Sequence, residues 1–125
     1  IQNGASHTEF KIDENGNFGI IEIGARMGGD CIGSDLVQIS TGYDFVKMVI
    51  DVACGKGPDF TKKTIPTKAV IKFIFTKEDL EKMEKLKEEH PEQIYRISEM
   101  ETKNFGNIVD SSSRIGYYIY TPETN

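Results

Sequence analysis

The chain has 125 residues, of which 38% are hydrophobic and 28% charged, and its formal net charge is −5. That length suits one ordinary domain or two small subdomains, and that balance belongs to globular rather than disordered chains. The acidic balance weighs against a nucleic-acid partner, because a phosphate backbone calls for a basic stripe.

The two cysteines, Cys31 and Cys54, have no metal-type spacing and make no disulfide framework. A reducing compartment, the cytoplasm, is therefore expected. The longest apolar run, "DFVKMVIDVACG", is broken by Lys47 and Asp51. It is too short to cross a bilayer, so no membrane partner is expected, and no secretory signal is visible. The chain opens at Ile1, almost inside a strand, and reads as a piece of a longer protein.

In chain order, the first element is a hairpin in "SHTEFKIDENGNFGIIEIGAR", residues 6–26. Thr8, Phe10 and Ile12 alternate with His7, Glu9, Lys11 and Asp13, which predicts a strand with one apolar face. "NG" followed by "NFGIIEIG" predicts the turn and the returning strand. "CIGSDLVQIS" and "DFVKMVIDVACG" predict helices, the second capped by Asp44 and ended by Gly55. "GKGPDFTKKTIPTK" has the glycines, prolines and polar residues of a joining loop. Next come a strand in "KAVIKFIF" and an amphipathic helix in "TKEDLEKMEKLKEEH". In that helix Thr76 and Asp79 resemble a capping box, Leu80, Met83 and Leu86 form the apolar stripe, and Pro91 is the stop. A further strand and a closing one in "RIGYYIY" complete the chain. The expected organisation is an α/β (α+β) chain in two parts, residues 1–57 and 66–125.

The hairpin carries the chemistry. If Asn15–Gly16 form a two-residue loop, opposed residue numbers sum to 31 and Glu9 faces Glu22. A four-residue loop over 14–17 keeps that register, whereas a three-residue loop breaks it. Opposed residues share a face with Cβ atoms roughly 4.5–5.5 Å apart. Two carboxylates at that separation call for a cation between them or a shared proton. Carboxylate oxygens suit a hard ion such as Mg²⁺, with Mn²⁺ as the alternative, particularly one shared with phosphate groups. Arg26 extends the same face, making a polar floor for metal and phosphate. The bland alternative is a solvated polar face screened by Lys11. Against it stands Glu22, wedged in the apolar "GIIEIGA", where a charge is costly unless paired or metal-bound. "RMGGDCIGSDLV" then places Gly28 and Gly29 before a helix, either as a tight turn or as a pocket for a substrate carboxylate beside Arg26.

"HTEFKIDENGNFGIIEIGARMGGD" followed by "STGYDFVKMVIDVACGK" resembles the C-terminal part of an ATP-grasp domain. In that family a strand glutamate, a turn, Glu-x-Asn-x-Arg, a glycine-rich loop and a helix pair follow one another. The resemblance implies that Glu9 and Glu22 bind magnesium ions on the phosphates of ATP, and that Arg26 stabilises the acyl phosphate or the transferring phosphoryl group. The family's asparagine position is Gly24 here, which removes one metal ligand. "NFGNIVDSSSRIGYYIY" resembles the C-terminal subdomain of biotin-carboxylase-like and amino-acid-ligase-like members. "EIGARMGGD" looks most like carboxylate–amine ligases and relatives of the carbamoyl-phosphate-synthase large subunit. The family's phosphate-binding lysines, adenine hinge and glycine-rich flap have no counterpart in these residues. The resemblance therefore implies a C-terminal ligase fragment, inactive alone, whose other partners are ATP, a carboxylate, an amine and the upstream half of the protein. A homo-oligomer is compatible with it.

The competing reading is a non-enzymatic α/β module that binds a ligand or partner. A metal-dependent nuclease is disfavoured by the acidic charge and the absence of further clustered acids. His7, on the Glu9 face and opposite Gly24, reads as a polar rim residue, with substrate contact as the alternative. His90 reads as a solvated helix end, Tyr117, Tyr118 and Tyr120 as packing residues, and Arg114 as a partner for an acid.

Overall fold

The computed structural model describes residues 2–101 and 109–123. The chain divides into two compact units, Ile1–Pro66 and Thr67–Asn125. The structure has mixed α/β character with antiparallel sheets and flanking helices. Part of the resemblance over residues 104–120 lies outside the described residues.

In the first unit, β1 (His7–Ile12) and β2 (Phe18–Gly24) form a two-stranded antiparallel sheet. A π-helical turn (Ile32–Leu36) runs into the short helix α1 (Val37–Thr41), where the sequence predicts one continuous helix. Helix α2 (Phe45–Ala53) begins at Asp44, whose carboxylate accepts the Lys47 N–H at 3.0 Å, the expected cap. Helix α1 stops at Gly42, which has φ +81°. The chain returns over that glycine: Lys63 N–H donates to the Gly42 carbonyl at 2.7 Å. A Cβ at Gly42 would stand 2.3 Å from the Thr64 carbonyl oxygen, so both backbone conformation and space require glycine there.

In the second unit, β3 (Val70–Ile74), β4 (Ile94–Ile97) and β5 (Gly116–Tyr120) form an antiparallel sheet in the order β3–β5–β4. The last strand in sequence is central in space, because β5 carries the aromatic and β-branched residues that pair on both sides. Helix α3 (Lys77–Glu89) starts with the expected reciprocal box. Thr76 Oγ1 accepts the Asp79 N–H at 3.1 Å, and Asp79 accepts the Thr76 N–H at 3.0 Å. The Thr76 hydroxyl bond, followed by further bonds to the backbone, lowers the Asp79 pKa. Met83 on the predicted stripe is buried with Ile74, Ile115 and Tyr118, and Leu80 and Leu86 pack against them. Burial pushes the Tyr118 phenol up. The three tyrosines pack as expected: Tyr118 stacks on Tyr120 and Tyr117 meets Phe73 edge-on. The Arg114 guanidinium stands 4.1 Å from the centre of the Phe73 ring. His90 is an exposed helix end, 3.4 Å from Glu92.

A candidate metal and phosphate site on the hairpin

The hairpin turn departs from the two-residue Asn–Gly loop that the sequence predicts. Asp13 N–H donates to the Asn17 carbonyl at 2.9 Å and Gly16 N–H donates to the Asp13 carbonyl at 3.1 Å. The loop is thus Glu14–Asn15–Gly16, with Gly16 in the left-handed region at φ +82°. Asp13 is the physical reason. Its carboxylate accepts the backbone N–H groups of Asn15 at 2.9 Å and Asn17 at 2.8 Å, and the Asn17 amide at 2.9 Å. These bonds, the Asn17 side chain first, hold the Asp13 pKa below its ordinary value.

A three-residue loop displaces the register by one. Ile12 pairs with Phe18, Lys11 with Gly19 and Phe10 with Ile20. Continued outward, that ladder would set Glu9 against Ile21. A bulge between Glu9 and Phe10 absorbs Ile21 instead, so Glu9 pairs with Glu22, Thr8 with Ile23 and His7 with Gly24. The bulge therefore switches which β2 residues share the Glu9 face. The two glutamates end as cross-strand partners by a route that the expected loop did not contain.

Of the remaining predicted residues, Arg26 reaches back toward this rung, Gly28 packs by His7 one rung along, and Gly29 is not brought against it. Arg26 leaves the end of β2 and folds back over Gly24. Its Cγ and Nε lie 3.5 and 3.7 Å from where a Gly24 Cβ would stand, and Glu22 Oε1 lies 3.9 Å from the same point. Arg26 Nη1 donates to the Met27 carbonyl at 2.9 Å. Gly28 is in tight quarters: a Cβ there would meet Ile32 Cγ2 at 2.8 Å and His7 Cδ2 at 3.1 Å. Gly29 faces open space. Gly28 is thus needed for close packing of the loop on Ile32 and His7, a role that the anion-pocket reading did not include. Asp30 and Cys31 both take positive φ, 49° and 62°, as the loop enters the π-helical turn.

One expectation about the environment fails. Glu22 is exposed, as are Glu9 and the apolar neighbours Ile20, Ile21 and Ile23. The desolvation cost that favoured a bound metal in the sequence is therefore not present in this chain. Among the described residues no cluster of three or more His, Cys, Asp or Glu side chains gathers as a metal site. The hairpin offers two carboxylates, and Gly24, paired with His7, adds no side chain to them. That donor set fits Mg²⁺, which keeps several waters and shares its shell with phosphate oxygens. No helix among the described residues is long and apolar enough to cross a membrane.

No family model matches the chain. No curated protein matches it either. Among solved structures, the chain is similar to the crystal structure of an L-amino acid ligase from Bacillus licheniformis. The identity is 20% and the TM-score 0.62, over 97% of this chain and 31% of that one. At that identity the likeness shows a shared fold, a mixed α/β arrangement of antiparallel sheets and flanking helices that corresponds to part of that ligase. This chain spans less than a third of the length of that ligase.

Proposed function

We propose that the chain is part of an ATP-dependent ligase that activates a carboxylate as its acyl phosphate for attack by an amine. The observation that carries this reading is the Glu9–Glu22 rung with the Arg26 side chain folded beside it. Glu9 and Glu22 would hold Mg²⁺, or Mn²⁺, against the phosphates of ATP. The ion supplies neutralisation of the charge that builds on the phosphates. Arg26 grips a phosphoryl or carboxylate group through its planar fork, which a lysine would not reproduce. Gly28 and Gly29 bring backbone close to the substrate carboxylate. The adenine site and flap belong to an upstream half, and the protein works in the cytoplasm. The fold shared with an L-amino acid ligase favours amino acids as substrates over the narrower carbamoyl-phosphate-synthase-like reading.

The test is ADP release by the full-length protein with Mg-ATP and L-amino acids. Glu22→Gln should lower kcat by about 10²–10³-fold, the scale seen when one preorganised electrostatic group is lost. Apo melting of that variant should hold or rise, because opposed like charges are unfavourable. Near-normal turnover in Glu22→Gln defeats the assignment.

A second reading rests on the exposure of both glutamates. In that reading the chain is a non-enzymatic binding module with a solvated polar face. It requires that the full-length protein release no ADP with any L-amino acid.

A further inference from the structure

The polar face of the hairpin carries another group, His7, which the metal and phosphate roles leave unused. His7 pairs with Gly24, one rung beyond Glu9–Glu22 on the side of the glycine loop. Because Gly24 has no side chain, the Arg26 arm lies over the position opposite His7. On its other side the His7 ring packs on Gly28, with Cδ2 3.1 Å from where a Cβ would stand. The imidazole thus bridges the carboxylate rung and the glycine loop.

Its two nitrogens differ. Nδ1 is sealed from solvent and has no hydrogen-bond partner among the described residues. Nε2 is not buried and unpaired in that way, so it is the nitrogen open to the surroundings. A buried N–H with no acceptor is rarer and costlier than an unused lone pair. In the neutral ring the proton therefore belongs on Nε2, which makes that edge a hydrogen-bond donor.

We propose that His7 is a substrate-contacting residue whose Nε2–H donates a hydrogen bond to a carboxylate oxygen of the substrate gripped by Arg26. This rests on the ligase reading and adds to it a second recognition group for the carboxylate. The metal rung faces the phosphates, and His7 stands one rung toward the loop, so the bond discriminates the carboxylate from ATP.

Two substitutions separate the ring nitrogens. Gln extends an amide nitrogen to the place of Nε2, whereas Asn reaches only as far as Nδ1. In the full-length enzyme, with L-alanine as carboxylate probe, His7→Asn and His7→Ala should lower kcat/KM for the amino acid by about 10–100-fold, the range for losing a hydrogen bond to a charged group. His7→Gln should stay within about threefold, and KM for Mg-ATP should be unchanged in all three. In ¹⁵N-histidine-labelled protein, the ring signals missing from His7→Gln should show the proton on Nε2. The inference is overturned if His7→Asn equals His7→Gln, if the loss falls on KM for ATP, if His7→Ala is silent, or if the proton is on Nδ1. Glu22→Gln, run alongside, separates the two failures. If it retains turnover, the ligase reading fails; if it loses turnover while His7→Ala does not, only the His7 contact fails.

Discussion

In the second unit Ile74 and Ile119 are 0% exposed, whereas on the hairpin of the first unit Phe10 and Phe18 are 51% and 72% exposed. Both stretches read as strands in the sequence, and both are rich in isoleucine and aromatics. The difference lies in what each strand has to pack on. In the second unit β5 is flanked by two strands, and α3 lays Leu80, Met83 and Leu86 on the core. The hairpin has one partner strand per strand, and on its apolar face Phe10 and Phe18 meet edge-on while both stay exposed. Two-stranded ribbons are marginal alone in water. Stability thus concentrates in the second unit and the candidate chemistry in the first.

Four substitutions or conditions can break that contrast. The largest expected effect is Ile119→Ala, which should cost about 2–5 kcal/mol in a denaturant melt, as for other large-to-small changes at fully buried sites. A cost under about 1 kcal/mol would remove the second unit's claim to the core. Gly42→Ala comes next. Its left-handed backbone and the Thr64 carbonyl both oppose a Cβ. Loss of about 1–3 kcal/mol is expected, with faster amide exchange confined to the first unit. Unchanged exchange at Lys63, whose N–H bonds Gly42, would show that the return loop does not depend on the glycine.

Acid should act on both units in the same sense. The Asp13 and Asp79 pKa values are depressed by hydrogen bonds. A depressed carboxylate contributes stability that is complete above its unfolded value, 3.8, and is lost as pH falls through the lower folded value. Amide shifts of Asn15 and Asn17 should therefore begin to move below about pH 4, and Thr76 should follow in the same window. The contrast sharpens if the hairpin amides lose exchange protection there while those of β5 keep it. The smallest effect belongs to Phe18→Thr. In this chain it should change stability by less than about 0.5 kcal/mol, as exposed substitutions do. A cost comparable to that of Ile119→Ala would mean that the hairpin face is covered, and the contrast would fall.

Much of this was legible beforehand because the signals are local. The Asp44 cap, the Thr76–Asp79 box, the Leu80–Met83–Leu86 stripe and the hairpin itself depend on residues within a few positions of one another. The turn type was not, because Asp13 competes with Asn15–Gly16 for control of the loop, and three hydrogen bonds to one carboxylate decide the outcome. The bulge at Ile21 was illegible for the same reason, since it answers a shift that only the turn creates. Nor does any spacing reveal that Gly28 is held against Ile32 and His7.

Most strand and helix segments, the starts of α2 and α3, and the nearness of Glu9, Glu22 and Arg26 along one ribbon follow from the sequence, whereas the π-helical turn leading into α1 does not. Periodicity and capping are short-range physics, written in neighbouring side chains. Only the tertiary structure decided that β5 lies between β3 and β4, that a bulge restores the Glu9–Glu22 rung, and that one nitrogen of His7 is sealed while the other stays open. Those outcomes depend on competition between hydrogen bonds and on packing across the fold, where the deciding contact is distant in sequence or set by a single displaced residue.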